Sequence, residues 1–256
     1  MADTSQLTNK VALITGGARR VGREIALSLA RAGMDVAITY NQSHDDAKHT
    51  VEKIRKLGRR AIAIAADNRD PRAAELIYQG FVDEFDHLHA LINNASSFSP
   101  SPFGQITTDA YDAHMAVNAR TPLLLTQLCA PLLAAHYHPD DPSSLGRVIN
   151  FVDVHVLGEP LHNFLAYNAS KAALLEITMS CAIELAPKIT VNAVAPGVVD
   201  WPEGTGPEYR ERYLKRVPLA RAGQPTEAAS AVVFLVRDGH YCTGQVIRVD
   251  GGRALS

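Results

Sequence analysis

The sequence predicts an α/β protein built on a doubly wound parallel sheet, and three observations carry this prediction. Short apolar runs rich in β-branched residues alternate with segments of helical periodicity along the 256 residues. A glycine-containing turn follows the first apolar run and leads directly into the first helical segment. Polar side chains follow several apolar runs, where open α/β sheets bind their ligands. We therefore expect one domain spanning 1–256, with about seven strands and helices on both faces.

Seven apolar runs are predicted to be strands, because each is short and bounded by turn signals. They cover residues 10–15, 35–40, 60–65, 88–92, 147–152, 189–194 and 245–249. The first run has almost no polar positions, which is typical of a strand buried on both faces.

Six segments are predicted to be helices: residues 23–32, 44–57, 71–85, 108–135, 167–185 and 225–237. Gly33 ends the first helix, Pro71 suits the first turn of the third, and Pro187 follows the fifth. Residues 136–144 are polar and proline-rich and are interpreted as a surface excursion. Residues 198–217 are irregular and polar, and a loop of this length in a compact domain is usually functional, often as a lid.

The composition is that of a soluble globular protein, with 46% hydrophobic residues, 20% charged residues and a formal charge of −2. No basic stripe stands out, so a nucleic-acid partner is not expected. The sequence has no long apolar run, its N-terminus is polar, and its three cysteines are far apart. These features predict a cytoplasmic protein without a membrane partner. No H-E-x-x-H motif occurs, the pairs His87/His89 and His136/His138 are interpreted as surface residues, and no metal site is expected.

The turn from Gly16 to Gly22 stands between the first strand and the first helix, where a phosphate-binding loop is required. Gly16 permits the tight turn, and Gly22 permits close packing of helix on strand. Arg19 and Arg20 are unfavourable at a helix N-terminus unless a bound phosphate reverses the local charge. The alternative is two solvated surface arginines.

The second strand ends in Tyr40, Asn41, Gln42 and Ser43, with no carboxylate until Asp45. Sites that prefer NAD commonly place an acidic residue here to hold the ribose 2′-hydroxyl. Its absence, with Arg19 nearby, favours a 2′-phosphate and therefore NADPH.

Polar residues follow three further strands. Asp67 and Asn68 follow the third, and the amides of Asn93 and Asn94 after the fourth can pin neighbouring strands or contact a ligand. The loop from Ser97 to Gly104 contains Phe98 and is either a ligand wall or an ordinary surface turn. Asp153 follows the fifth strand, as a site residue or as a helix cap.

Tyr167 and Lys171 stand four residues apart in a predicted helix, which places them on one face. A neighbouring ammonium is expected to lower the pKa of the phenol towards neutrality. A tyrosine tuned in this way can act as a general acid or base. The alternative is a lysine side chain that lies over a ring without a catalytic role.

Several motifs follow one another along nearly the whole chain: Thr15-Gly16 with Gly22, Asn93-Asn94-Ala95, Asn118, Tyr167-x-x-x-Lys171 and Pro196-Gly197. In combination, they resemble the short-chain dehydrogenase/reductase family. The resemblance implies a Rossmann-type fold, NAD(P)-dependent hydride transfer and usually a homotetramer. It also implies that Lys171 holds the nicotinamide ribose and that Asn118 holds a water in a proton relay.

Two departures, Arg20 in place of a glycine and Asp153 in place of a serine, resemble the pteridine reductase branch of that family. Ser97-Phe98 and Val217-Pro218-Leu219 support this resemblance, although Asp153 and Tyr167 stand one residue farther apart than is typical of the branch. The resemblance implies that a pterin ring stacks between the nicotinamide and Phe98. It also implies that Arg20 contacts a cofactor phosphate.

These arguments predict NADPH-dependent reduction of a pterin of the dihydrobiopterin, dihydromonapterin or dihydrofolate class, with Tyr167 as proton donor. The expected catalytic residues are Asp153, Tyr167, Lys171 and Asn118. The expected cofactor contacts are Gly16, Arg19, Arg20, Val21, Gly22, Tyr40, Asn41, Ser43, Asp67, Asn68, Asn94, Ala95, Ser96, Tyr167, Lys171, Pro196, Gly197 and Val198. The expected substrate contacts are Arg20, Ser96, Phe98, Asp153, Tyr167 and Trp201.

Two alternative functions remain open at this point. One is reduction of a carbonyl substrate such as a 3-oxoacyl thioester, and Arg20 and Asp153 argue against it. The other is a regulatory protein that binds the cofactor without catalysis, since a fold does not determine a function.

Overall fold

Seven parallel strands form one sheet in the order β3-β2-β1-β4-β5-β6-β7 in the computed structural model, which describes residues 7–201 and 204–256. The strands are β1 (Val11–Ile14), β2 (Asp35–Tyr40), β3 (Ala61–Ala65), β4 (Ala90–Asn93), β5 (Gly146–Phe151), β6 (Ile189–Pro196) and β7 (Val246–Val249). Each lies within two residues of its predicted bounds, and the predicted fold class is confirmed.

Eight α-helices lie on the faces of this sheet in the described part of the chain. They are α1 (Arg20–Arg31), α2 (His44–Lys56), α3 (Ala73–Val82), α4 (Thr108–Met115), α5 (Thr121–Ala134), α6 (Leu165–Glu184), α7 (Pro207–Leu214) and α8 (Pro225–Arg237). A π-helical turn, Ala116–Arg120, joins α4 to α5, so the single helix predicted over 108–135 is interrupted. None of these helices, within the residues described, is long and apolar enough to cross a membrane.

Helix α7 corrects the prediction that residues 198–217 are irregular throughout. It begins with a proline in its first turn, and Tyr213 is its only buried residue. With one buried position in eight residues, the segment has no apolar period that could have been detected. Its contact with the rest of the domain depends on the Tyr213 side chain.

Side chains alternate between the two faces of the sheet, as the strand period requires. In β1, Ala12 and Ile14 belong to the core beneath α1, α2 and α8, while Val11 and Leu13 belong to the core beneath α3, α5 and α6. The strand order reverses between β1 and β4. A crevice is expected beyond the carboxyl ends of these two strands, because the helices that follow them lie on opposite faces.

Candidate active site

Tyr167 and Asp153 are brought together at the carboxyl end of β5. Asp153 lies two residues beyond the strand and caps a short helical turn, where its Oδ1 accepts the His155 amide at 2.9 Å. The Tyr167 hydroxyl donates to Oδ2 at 2.6 Å. The structure confirms Asp153 as a helix cap, and its hydrogen bond to Tyr167 is compatible with the second role, that of a site residue, which stays a prediction.

The expected lowering of the Tyr167 pKa is wrong. Tyr167 is only 5% exposed, and burial raises its pKa well above the usual value. The negative charge of Asp153 and the hydrogen bond to it raise the pKa further, because both oppose the phenolate. The spacing on the helix was visible in the sequence, but the depth of burial and the carboxylate partner were not.

Lys171 points its ammonium at the backbone of β5. Its Nζ donates to the Phe151 carbonyl at 2.6 Å, and the residue is 2% exposed. Burial lowers the pKa of Lys171 to about 8, and the negative charge of Asp153 opposes this shift. Lys171 therefore lies in the same buried electrostatic environment as Asp153, one helical turn beyond Tyr167.

Asn118 lies in the π-helical turn and is fully buried. Its Oδ1 accepts the Ser97 amide at 2.8 Å, while Nδ2 donates to the Ser97 carbonyl at 3.0 Å and to Ser170 Oγ at 2.9 Å. Both amide hydrogens are thus used within the protein. The side chain could take a relay water only through the remaining lone pair of Oδ1.

The glycine turn has the geometry that the sequence predicted for its glycines. Gly16 has a φ of +65°, and a Cβ on Gly22 would lie 2.1 Å from the Gly16 carbonyl oxygen. The Asn94 side chain closes the turn by donating to the carbonyls of Thr15 and Gly16. Thr15 Oγ1 accepts the amides of Asn94 and Ala95, which joins the ends of β1 and β4.

Helix α1 begins directly after this turn, and no side chain caps its first amides. Arg19 occupies the capping position, and Arg20 adopts a φ of +53°, which is rare for a residue with a side chain. Val21 is the second residue of α1. The free amides and two guanidinium groups form a positive surface that suits an anion.

Arg20 has a partner that the sequence analysis missed. Its Nε donates to Asp200 Oδ2 at 2.7 Å, and its Nη2 donates to the Asp200 carbonyl at 3.0 Å. Asp200 follows β6, so this pair connects the glycine turn to the start of the predicted lid. No sequence pattern signals a contact across 180 residues, although Asp200 does stand at the end of a strand.

The residues at the ends of β2 and β3 also lie together. Asn41 and Arg69 both hydrogen-bond to the Asp67 carboxylate, and the bond from Arg69 is the main cause of a lowered Asp67 pKa. Tyr40 contacts His44 through its hydroxyl, Ser43 precedes α2, and Asn68 is buried behind Asp67. A carboxylate therefore does reach the end of β2, but from β3 and paired with Arg69.

Phe98 and a second aromatic residue line the opposite side of the site. Phe98 is 46% exposed, stacks on Phe164 with ring centres 4.6 Å apart, and meets the Tyr167 ring edge-on at 4.8 Å. Ser96 lies at the start of this segment. Phe164 was missed, although its position one turn before Tyr167 in the sequence could have indicated it.

The segment after β6 is supported by α7. The Tyr213 hydroxyl accepts the Val198 amide at 3.0 Å, and a Cβ on Gly197, which follows Pro196, would lie 3.1 Å from the same oxygen. Trp201 packs edge-on against the Tyr213 ring at 5.5 Å. The structure thus places Trp201 against α7.

A cavity of about 450 Å³ lies on the outer side of this segment, between α7 and the end of β7. Val198 is the only member of the predicted site that lines it. In the part of the chain that the structure describes, no group of three or more histidine, cysteine or acidic side chains could hold a metal ion.

Comparison with known proteins identifies the family. A family model described as enoyl-(acyl carrier protein) reductase matches residues 16–254. The short-chain dehydrogenase/reductase FrzI of Cladobotryum sp is 34% identical over 96% of this chain and 96% of its own length. The chain belongs to the short-chain dehydrogenase/reductase family, and it is an oxidoreductase of that family.

Relatives with different substrates in their names are similarly close. The 3-oxoacyl-[acyl-carrier-protein] reductase FabG of Staphylococcus aureus (strain Mu50) is 35% identical, covering 95% of this chain and 97% of FabG. The crystal structure of FolM alternative dihydrofolate reductase 1 from Brucella canis, complexed with NADP, superposes with a TM-score of 0.88. It is 33% identical and covers 98% of this chain and 96% of FolM.

Proposed function

We propose that this chain is a single-domain, NADPH-dependent reductase that acts on a pterin ring, with Tyr167 as proton donor. The observation that carries the proposal is the carboxylate of Asp153 at 2.6 Å from the Tyr167 hydroxyl, beside the exposed ring of Phe98. The likeness to the NADP complex of FolM supports both the cofactor and the substrate class.

The glycine turn fits a dinucleotide. The lack of a side chain at Gly22 lets the start of α1 pack directly against the Gly16 carbonyl and the Asn94 side chain, and the first amides of α1 are left without a side-chain cap. Arg19, Arg20 and Val21 would hold the phosphates. The residues at the ends of β2, β3 and β4 would contact the adenosine half: Tyr40, Asn41, Ser43, Asp67, Asn68, Asn94, Ala95 and Ser96. The residues at the end of β6 would contact the nicotinamide half: Pro196, Gly197 and Val198.

NADPH, when bound, supplies the hydride, and the protein supplies position and protons. Reduction of a ring C=N bond adds a hydride to carbon and a proton to the neighbouring nitrogen. Like any phenol, Tyr167 carries its proton at neutral pH, and its raised pKa keeps the phenolate from forming before the substrate binds. The proton is therefore there to be donated. That proton, held towards Asp153, can turn to the substrate nitrogen, and Asp153 can relay the next proton. Lys171 has two further hydrogens for the ribose hydroxyls.

The negative charge of Asp153 has opposite effects on the reduction of a ketone and on the reduction of a C=N bond. Hydride transfer to a ketone builds negative charge on oxygen, which a neighbouring carboxylate opposes. A C=N nitrogen instead becomes protonated, and a carboxylate favours the positive form. Phe98 adds a flat apolar surface of the kind on which a pterin ring stacks.

Reduction of a 3-oxoacyl thioester is the second candidate, because FabG of Staphylococcus aureus is 35% identical over nearly the whole chain. One experiment separates the two. Purified protein with NADPH is given dihydrobiopterin, dihydromonapterin, dihydrofolate and a 3-oxoacyl thioester in parallel, and NADPH oxidation is followed by absorbance. We expect turnover of at least one pterin, and turnover of the thioester alone would overturn the proposal.

Asp153→Ser is the informative companion variant in that assay. A serine hydroxyl can donate to a carbonyl oxygen, so we expect the variant to lose pterin turnover without losing activity on a thioester. We also propose a homotetramer, which light scattering on the purified protein tests directly.

A further inference from the structure

Residues 97–101, here called the wall loop, carry Phe98 and are fixed at both ends. At the first end, the amide and carbonyl of Ser97 are both bound by the Asn118 side chain. At the other end, the Ser101 amide donates to the Asn163 carbonyl at 2.6 Å. Ser101 is 3% exposed, so this end of the loop is buried although Phe98 is not.

The Ser101 hydroxyl makes a second contact, which reaches the helix of the candidate active site. Its Oγ accepts the Ala166 amide at 2.9 Å. The amides of a helix's first turn have no partner within the helix, and the residue that precedes α6, Phe164, provides no side-chain cap. Ser101 therefore caps α6 from a separate loop, at the residue immediately before Tyr167.

Phe98 lies between these two anchored ends. The Phe98 ring stacks on the Phe164 ring, at the start of α6. It also meets the Tyr167 ring edge-on, and this contact sets the distance between the Phe98 ring and the Tyr167 hydroxyl. Ser99 adds a contact with the buried His114 of α4 at 3.3 Å. The wall loop is thus held by hydrogen bonds to α4 and to the start of α6, the helix that carries Tyr167.

We propose that Ser101 is a positioning residue that fixes the distance from Phe98 to the Tyr167 hydroxyl and so restricts the site to flat ring substrates. This inference rests on the proposed function, because it takes Tyr167 as the proton donor and Phe98 as the substrate wall. Without the Ser101 hydroxyl, the wall loop and the start of α6 can move apart. A substrate must then order them as it binds, which raises KM more than it lowers kcat.

The test compares Ser101→Ala with a matched control, Thr107→Ala. Thr107 is the cap of α4, and its hydroxyl accepts the Ala110 amide at 3.2 Å, so the same kind of hydrogen bond is removed away from Tyr167. We expect Ser101→Ala to raise the KM for the reduced pterin about fivefold, from a lost cap, with kcat changed less than about twofold. Thr107→Ala should leave both constants unchanged, and Ser101→Thr should restore KM.

Three outcomes would overturn the positioning role: an unchanged KM in Ser101→Ala, an equal rise in both alanine variants, or no rescue by threonine. Thermal unfolding of all three variants identifies a simple loss of folding. If only the thioester is turned over by the parent protein, the proposed function and the restriction to flat rings fail together. The positioning role is then judged separately, by the same criteria applied to the KM for the thioester.

Discussion

The two edges of the sheet both bury ionisable side chains, but they balance the charge differently. At the carboxyl edge, the buried Tyr167 and Lys171 share one carboxylate, Asp153. At the amino edge, Arg147 is 2% exposed and bonds to backbone carbonyls and to the His240 ring, with no carboxylate at salt-bridge distance among the described residues. Burial lowers the pKa of Arg147 to about 10.

The amino edge also contains a group of histidines, of which His89 is held neutral. His89 Nδ1 accepts the Val11 amide at 3.2 Å, and its ring stacks on His136 at 4.9 Å. Burial, with the charges of His136, Lys10 and His87, lowers the pKa of His89 to about 3. His89 is half-buried, so it is more enclosed than its interpretation as a surface residue implies.

The two edges therefore differ in the chemistry that their side chains allow. The half-buried carboxylate of Asp153 beside the Tyr167 phenol allows a proton to change partners, which is the arrangement that acid–base chemistry needs. The His89 imidazole instead accepts a backbone amide and anchors the chain, and the folded protein loses stability when this ring is protonated. We expect substitutions at the carboxyl edge to change activity and those at the amino edge to change the acid limit of stability.

The largest effect is expected at the proton donor. Tyr167→Phe removes the hydroxyl but keeps the ring that packs against Phe98, so the protein should fold and lose about 10²–10⁴-fold in kcat. Steady-state kinetics on a turned-over substrate measure this change. Near-normal turnover in a folded variant would rule out the role of Tyr167.

Because of Lys171 at the carboxyl edge, the free energy of unfolding should depend on pH in alkaline solution. Its pKa of about 8 in the folded protein lies below the value of 10.5 in the unfolded chain, so the unfolded chain binds more protons between these values. Stability should rise across pH 8–10 by on the order of 2 kcal/mol relative to Lys171→Met. Urea unfolding of both proteins at several pH values measures the difference, and parallel curves would contradict the buried ammonium.

His89 at the amino edge should make the free energy of unfolding depend on pH in acid solution. Its pKa of about 3 in the folded protein lies below the unfolded value of 6.5, so stability is lost as the pH falls through this interval. His89→Asn keeps an acceptor for the Val11 amide and removes the titration. We expect the variant to retain about 1 kcal/mol more of its stability between pH 6.5 and 4.5, a figure reduced for partial exposure. His138→Asn, at an exposed position, is the control.

Much of the fold and part of the site follow from local sequence patterns. Strand periods and the glycine turn define the sheet, and parallel strands bring Gly16, Asn94 and Asp153 to one edge whatever the loops do. The direction of the Tyr167 pKa shift could not be predicted, since it depends on burial. Asp200 and Ser101 could not be found either, because their partners are distant in sequence and no periodicity reports such contacts.

The smallest expected effect concerns the ion pair of Arg20 and Asp200. Both side chains are partly exposed, so Asp200→Asn should change the free energy of unfolding by less than about 1 kcal/mol. The same change frees the Arg20 guanidinium beside the uncapped start of α1, and NADPH should bind a few fold more tightly at low salt. Fluorescence titration at two salt concentrations measures this gain, which screening should reduce. Asp238→Asn, which breaks an exposed pair with Arg237 away from the turn, should leave NADPH binding unchanged. An equal gain in both variants would mean that general charge, and not release of Arg20, controls cofactor affinity.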